Sequence, residues 1–235
     1  MPALRVRLTP AAIIEPIAAA RADGFSPELL VVDEPDPGWT SLRALSLPAG
    51  QAERHRRIER AAGPGTPPRL PVAWEIEAIA WLVGAMVGGS LIQGNGLATP
   101  HPGLAWARIG PDGLAAGLAI ASRTRCVAAR VTVARDVITG LLAPLVDGTQ
   151  SGSARVRWWH AGDRVADALL WLGDALGTPT VARRAATELL APGVPYSVPL
   201  GVDGHQPGRT RRTCCLARRT ASGETCDGCP HRRKR

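Results

Sequence analysis

Four cysteines crowd the C-terminal end of this chain. Cys214 and Cys215 are adjacent, ten residues follow, and Cys226 and Cys229 form a CxxC pair closed by Pro230. This pattern restricts the fold most, because thiols gathered on one centre bring residues fifteen positions apart to one point. Four thiolates can hold an iron–sulfur cluster or a zinc ion, and each must be deprotonated to bind. In CxxC the two intervening residues let both sulfurs turn toward one point. Gly228 eases the tight backbone this needs, and Pro230 keeps the turn from continuing as a helix. The vicinal pair is more awkward, since neighbouring side chains of an extended segment point to opposite sides. A bend at Cys214-Cys215 is therefore expected. Zinc sites usually present spaced pairs, which a vicinal pair suits poorly. A disulfide would need an oxidising compartment. Against that, the N-terminus carries no signal-peptide run, and Cys126 is the one cysteine outside the last 22 residues. These features point to a reducing cytoplasm.

The spacing Cys-Cys, ten residues, Cys, two residues, Cys-Pro, led in by Arg211-Arg212-Thr213, resembles the C-terminal signature of the FhuF-like siderophore ferric reductases. The resemblance covers residues 211 to 230, and the chain departs from the pattern at Ala217-Arg218 and at His231. It implies a [2Fe–2S] cluster held by Cys214, Cys215, Cys226 and Cys229. The implied function is an iron–sulfur oxidoreductase that reduces Fe(III) in a siderophore complex, releasing iron in the cytoplasm of a bacterial cell or at the inner face of its membrane.

Charge separates the chain into two parts. From His205 onward nine basic residues face Glu224 and Asp227, a net of +7, while the first 204 residues carry a net of only +1. A basic end can bind nucleic acid or anionic lipid. Around four thiolates it has another use: Arg211, Arg212, Arg218 and Arg219 would stabilise a reduced cluster and steer an acidic electron donor. His231 to Arg235 reads as a solvated tail. His205 and His231 flank the cysteines and could replace a thiolate as in Rieske centres, but four cysteines already fill the positions.

The chain is long enough, and at 45% apolar rich enough, to bury one core. We expect an α+β fold, predominantly helical, with a small antiparallel hairpin or sheet. Residues 1–200 form the body and 201–235 an irregular cysteine-rich segment. Helices are expected over 10–22, 51–62, 72–87, 136–146, 162–176 and 179–190, from capping residues and apolar periodicity. Residues 33–50 read as loop. Residues 104–109 and 114–121 flank the turn Gly110-Pro111-Asp112-Gly113 as two hairpin strands, and 127–133 offers a third. The apolar run 78–92 has 15 residues, short of the ~20 of a membrane span. It is bounded by Glu75 and Glu77, and Gly88-Gly89-Ser90 interrupts it. The Gly-rich stretch 88–96 fits neither nucleotide-binding pattern.

No flavin or nicotinamide fingerprint is present, so the electron must come from an external ferredoxin, flavoprotein or small reductant. The ferric siderophore needs a groove beside the cluster. Trp106, Trp158 and Trp159 are candidate walls, with Arg155 and Arg157 for an anionic complex. Trp158 and Trp159 cannot both face the core, so one is expected inside and one at the surface. His101 and His160 read as surface histidines, and Cys126 as a small buried residue. Nucleic acid is not an expected partner of this reading. A rival one is a nucleic-acid-binding regulator whose four cysteines hold zinc or a sensing cluster, and another is an electron carrier without a substrate site. A neutral body and the lack of a recognition-helix pattern oppose the former, and some 200 residues of body oppose the latter.

Overall fold

The structure is a computed structural model that describes residues 9–20, 28–94, 96–200, 211–223, 225–226 and 229–231. The fold is α+β and predominantly helical, as the sequence leads one to expect.

Helix α1 (Pro10–Ala18) starts where Thr9 accepts the Ala12 N–H at 3.3 Å and proline fills the first helical position. Helix α2 (Leu42–Leu45) is capped by Ser41, and helix α3 (Pro48–Ala62) again begins on a proline. Helix α4 (Leu70–Gln93) stops at Gly94, whose φ of 68° is the left-handed conformation that ends many helices. Helices α5 (Val131–Gly148), α6 (Ala154–Ala175) and α7 (Pro179–Leu189) complete the set among the described residues.

The core is the pairing of α4 with α6. Two glycines one turn apart on α4 let the axes approach. A Cβ at Gly84 would stand 2.9 Å from the Val165 Cα, and one at Gly88 would stand 2.6 Å from the Leu169 side chain. Gly88-Gly89-Ser90 therefore lies inside α4 and does not interrupt it. By length and composition α4 is apolar enough to cross a membrane, yet 83% of its most apolar window is buried within the fold. Residues such as Ile76, Val83 and Leu169 are fully enclosed, each stabilising by about 1.5–3 kcal/mol.

The sheet is mixed, where the sequence suggested an antiparallel one. Its order is β1-β5-β4-β2, from β1 (Glu28–Val32), β2 (Trp39–Ser41), β4 (Ala105–Ile109) and β5 (Ala115–Ala121). The β4–β5 hairpin is as expected, with α3 holding its turn through Arg57, whose guanidinium donates to the carbonyls of Gly110 and Pro111. The added strand β1 runs parallel to β5, pairing Leu30 with Ala119. A separate two-stranded ladder joins β3 (Leu97–Ala98) to β6 (Cys126–Val127).

Three expectations are corrected here. Residues 33–50 are not loop alone but contain β2, α2 and the start of α3. The strand expected over 127–133 ends at Val127. Val131 and Val133 belong to α5, because a buried stripe through Ala134, Val137, Ile138, Leu141 and Leu145 outweighs their β-branched preference. Helix α6 begins eight residues earlier than expected, which places Trp158 and Trp159 on a helix.

Candidate thiolate centre and adjoining cavity

The cysteine segment lies on α3, α4 and α6, held at three places. Asp163, 1% exposed on α6, accepts the backbone N–H groups of Arg212 at 3.0 Å and Thr213 at 2.8 Å, and the Thr213 hydroxyl at 2.6 Å. The Trp74 indole on α4 donates to the Cys215 carbonyl at 2.7 Å. Ala221 donates its N–H to the Ala62 carbonyl at the end of α3 at 3.2 Å. The expected bend falls one residue after the vicinal pair. Leu216 is the one non-glycine among the described residues with positive φ, 64°. A leucine tolerates this backbone only when its surroundings enforce it, and its side chain is packed against Ile58, Ala62 and Leu70.

Cys215 and Cys226 approach to 3.4 Å between sulfurs. A disulfide would place them about 2.05 Å apart. Two thiolates on one tetrahedral metal, with bonds of about 2.3 Å, stand about 3.8 Å apart. The pair is thus free and close to the spacing that a shared metal needs. The Cys229 N–H closes the CxxC turn onto the Cys226 carbonyl at 3.0 Å. Cys215 and Cys229 are buried, and Cys214 and Cys226 are half-buried. Burial pushes the Cys226 thiol up to about 12, Cys215 and Cys229 add to the rise, and Arg211 opposes it. Sulfurs gathered this closely give up their protons only to a compensating cation. Among the described residues no three His, Cys, Asp or Glu side chains meet closely enough to hold a single metal ion. Gly228 and His205 lie outside the described residues.

Arg211 is buried beside these sulfurs. It donates to Asp167 at 2.7 Å and lies 3.6 Å from Glu77. Burial works against its charge, but Asp167, Glu77, Cys226 and Cys215 outweigh that and hold it well above the usual arginine range. Its Nε is buried without a hydrogen-bond partner among the described residues. A leftover buried donor within electrostatic reach of two sulfurs suits an anionic sulfur acceptor. The Cys215–Cys226 spacing and the buried Arg211 charge suit thiolate ligation at that pair of sulfurs.

Beside the segment lies a cavity of about 410 Å³, with Arg69, Trp159, His160, Arg212, Thr213 and Cys214 in its wall. The Arg212 guanidinium covers the Trp159 ring at 3.7 Å, and that of Arg155 lies 4.9 Å from the same ring. Trp159, a sequence candidate, thus stands at the cavity with Arg212 in the same wall, whereas Arg155, another candidate, reaches the Trp159 ring without belonging to that wall. The other three are placed differently. Trp158 is the inward partner of the pair, buried against Tyr196 and donating to Asp147 at 2.9 Å. Arg157 borders the cavity, but its guanidinium is taken up by the carbonyls of Val146, Ser151 and Gly152 at 2.6, 2.8 and 2.7 Å, where it ties the end of α5 to the start of α6. Trp106 sits in the sheet on β4, paired with Ser41 and Ala119, and is not part of the cavity wall. Arg218 and Arg219 are exposed on a short 3-10 turn. Cys126 stands apart on β6, its thiol pushed up by burial.

His160 differs most from expectation. It is 7% exposed, and its Nδ1 lies 2.7 Å from Glu77 Oε1 and 3.2 Å from the Thr213 hydroxyl. Arg164 donates to the other Glu77 oxygen at 3.0 Å. Burial pushes the Glu77 carboxyl up, but the His160 bond and the charges of Arg164, His160 and Arg211 prevail and hold it below the usual carboxylate range. The sequence did carry a signal: a glutamate inside an apolar helix must find a partner. Glu75 obeys the same rule, bonded to Arg54 at 2.5 Å and His55 at 2.8 Å, which occupies two of the basic residues of α3.

No protein-family model matches this chain, and no curated protein matches it closely enough to count as a relative.

Proposed function

We propose that the chain is an iron–sulfur reductase of ferric siderophores, with Cys214, Cys215, Cys226 and Cys229 as ligands of a [2Fe–2S] centre. The observation that carries this reading is the wall shared between thiolate site and cavity. Cys214 borders the same cavity as Arg69, Arg212 and Trp159, so a chelate seated there lies against a ligand cysteine.

A bound diiron centre supplies a one-electron carrier, and the electron comes from an external ferredoxin, flavoprotein or small reductant. The chain supplies the rest. Asp163, Trp74 and Ala62 fix the cysteine backbone, and Arg211 sets a buried positive charge beside Cys215 and Cys226. Arg69 and Arg212 attract an anionic complex, while Trp159 offers an apolar face to its organic frame. Oxygen chelates hold Fe(III) better than Fe(II), so a single electron loosens the substrate's iron. The reading belongs to a reducing, cytoplasmic compartment.

Anaerobic purification followed by iron and sulfide analysis tests the centre, with two irons and two labile sulfides per chain expected. The reduced protein should then be reoxidised by a ferric trihydroxamate. Colourless protein with one zinc per chain would favour the nucleic-acid-binding regulator instead. A red-brown protein inert to every ferric chelate would be an electron carrier, not a reductase.

A further inference from the structure

Hydrogen-bond accounting around His160 settles which ring nitrogen carries the proton. The Thr213 hydroxyl has one hydrogen, and it is donated to Asp163 at 2.6 Å, so toward His160 its oxygen can only accept. Glu77, held ionised by Arg164, Arg211 and His160 itself, can also only accept. Both acceptors face Nδ1, so Nδ1 bears the hydrogen in every state of the ring. Nε2 is the nitrogen left to gain and lose a proton, and among the described residues it has no hydrogen-bond partner. His160 is one of the residues that line the cavity.

A buried carboxylate fixing one imidazole nitrogen, with the other unpaired on a residue that lines a cavity, is the arrangement of a proton donor. The surroundings add to this. Asp163 stands behind Thr213, Asp167 is paired with Arg211 and Arg164, and Arg69, Arg157, Arg212 and Cys214 share the cavity wall. Among the described residues the wall therefore carries no carboxylate and, besides Arg157 with its guanidinium already bonded to three carbonyls, the two arginines Arg69 and Arg212, a setting for an anionic ligand.

We infer that His160, positioned by Glu77, delivers a proton from Nε2 to an oxygen of the chelate in this cavity as its iron is reduced. The inference rests on the reading of the chain as a ferric-siderophore reductase. Fe(III) gains one electron from the external reductant. One iron–oxygen bond breaks, its electron pair staying on oxygen. That oxygen takes the Nε2 proton, leaving His160 neutral with hydrogen on Nδ1, and water entering the cavity restores the proton. One electron and one proton enter, and the oxygen released as O–H cannot readily rebind the iron. His160 is the proton-transfer residue and Glu77 a positioning residue.

The test uses the loaded full chain and its His160→Gln variant. Gallium(III) trihydroxamate, which cannot be reduced, reports binding through quenching of tryptophan fluorescence. Its affinity should stay within about threefold, while reoxidation by the ferric complex slows by about 100-fold. A small buffer acid should restore the variant's rate in proportion to its concentration and leave wild type unchanged. A merely structural role would lower gallium binding and rate together, without buffer rescue, and that result overturns the assignment. So does an unchanged rate. Wild type that neither binds the gallium complex nor reacts with the ferric one overturns the reductase reading and this assignment with it. Should the variant fail to fold, nitrogen NMR of labelled histidine in wild type decides: a neutral ring with its hydrogen on Nε2 refutes the inference, and one with it on Nδ1 upholds it.

Discussion

Replacing Asp163 with alanine should release the cysteine segment while leaving the helical body folded. The carboxylate is 1% exposed and accepts three hydrogen bonds from residues 212 and 213, the longest at 3.0 Å. Bonds to a charged acceptor contribute about 1.5–3 kcal/mol each, but they share one acceptor and are not additive. Removing the acceptor leaves the buried N–H and hydroxyl of Thr213 unpaired at about 1–3 kcal/mol each, a loss of about 3 kcal/mol in all. The remaining tethers, from Trp74 to the Cys215 carbonyl and from Ala221 to the Ala62 carbonyl, are neutral bonds of about 1 kcal/mol each. They cannot offset that loss locally, whereas the α4–α6 core is untouched. In the metal-free chain Cys215 and Cys229, only 6% and 5% exposed, should react slowly with a disulfide reagent. In Asp163→Ala a loss of about 3 kcal/mol translates to reaction roughly 100-fold faster. Far-ultraviolet circular dichroism should remain that of wild type, and Asp163→Asn should fall between the two. Thiols that stay within about threefold of wild-type reactivity in the alanine variant would show that Asp163 does not hold the segment.

Trp159→Ala removes the ring under Arg212 and Arg155. With about 1 kcal/mol for each of these two cation–π contacts, which hold the arginines in place, gallium trihydroxamate affinity should drop by up to about thirtyfold while iron content per chain stays constant. Gly162→Ala would set a Cβ 2.0 Å from the Tyr196 carbonyl oxygen. Overpacking of this severity costs about 3 kcal/mol, read as a melting temperature lower by roughly 6–12 °C. Glu77 titrates below the ordinary 4.5 of a glutamate when folded. Its stabilising contribution is therefore complete above that value and lost as pH falls through the depressed one. Denaturant midpoints should drop more steeply in acid for wild type than for Glu77→Gln, which should be less stable at neutral pH.

What the sequence disclosed follows physical range. Helices α4 and α7 were legible because apolar spacing and terminal proline or glycine are local signals. The start of α6 was obscured by Arg155 to His160, whose bulky and charged residues hide the helical stripe. Strand β1 was missed because its partner β5 lies almost ninety positions away, and no turn links them. At the candidate site the cysteines stand out by spacing alone, whereas Asp163, Glu77, His160 and Trp74 matter only because α4 and α6 pack beneath the segment. Arg157 illustrates the opposite error. An arginine beside two tryptophans looked available for an anion, and three carbonyls of the neighbouring connection occupy it.

The order in which these parts leave the ribosome gives the tethers one more consequence. Helices α4 and α6 emerge ahead of residue 211 and can pair before the thiols appear. The four cysteines therefore follow onto a finished landing surface, which shortens the interval in which a loose, four-sulfur segment is open to oxidation or to capture by a neighbouring nascent chain.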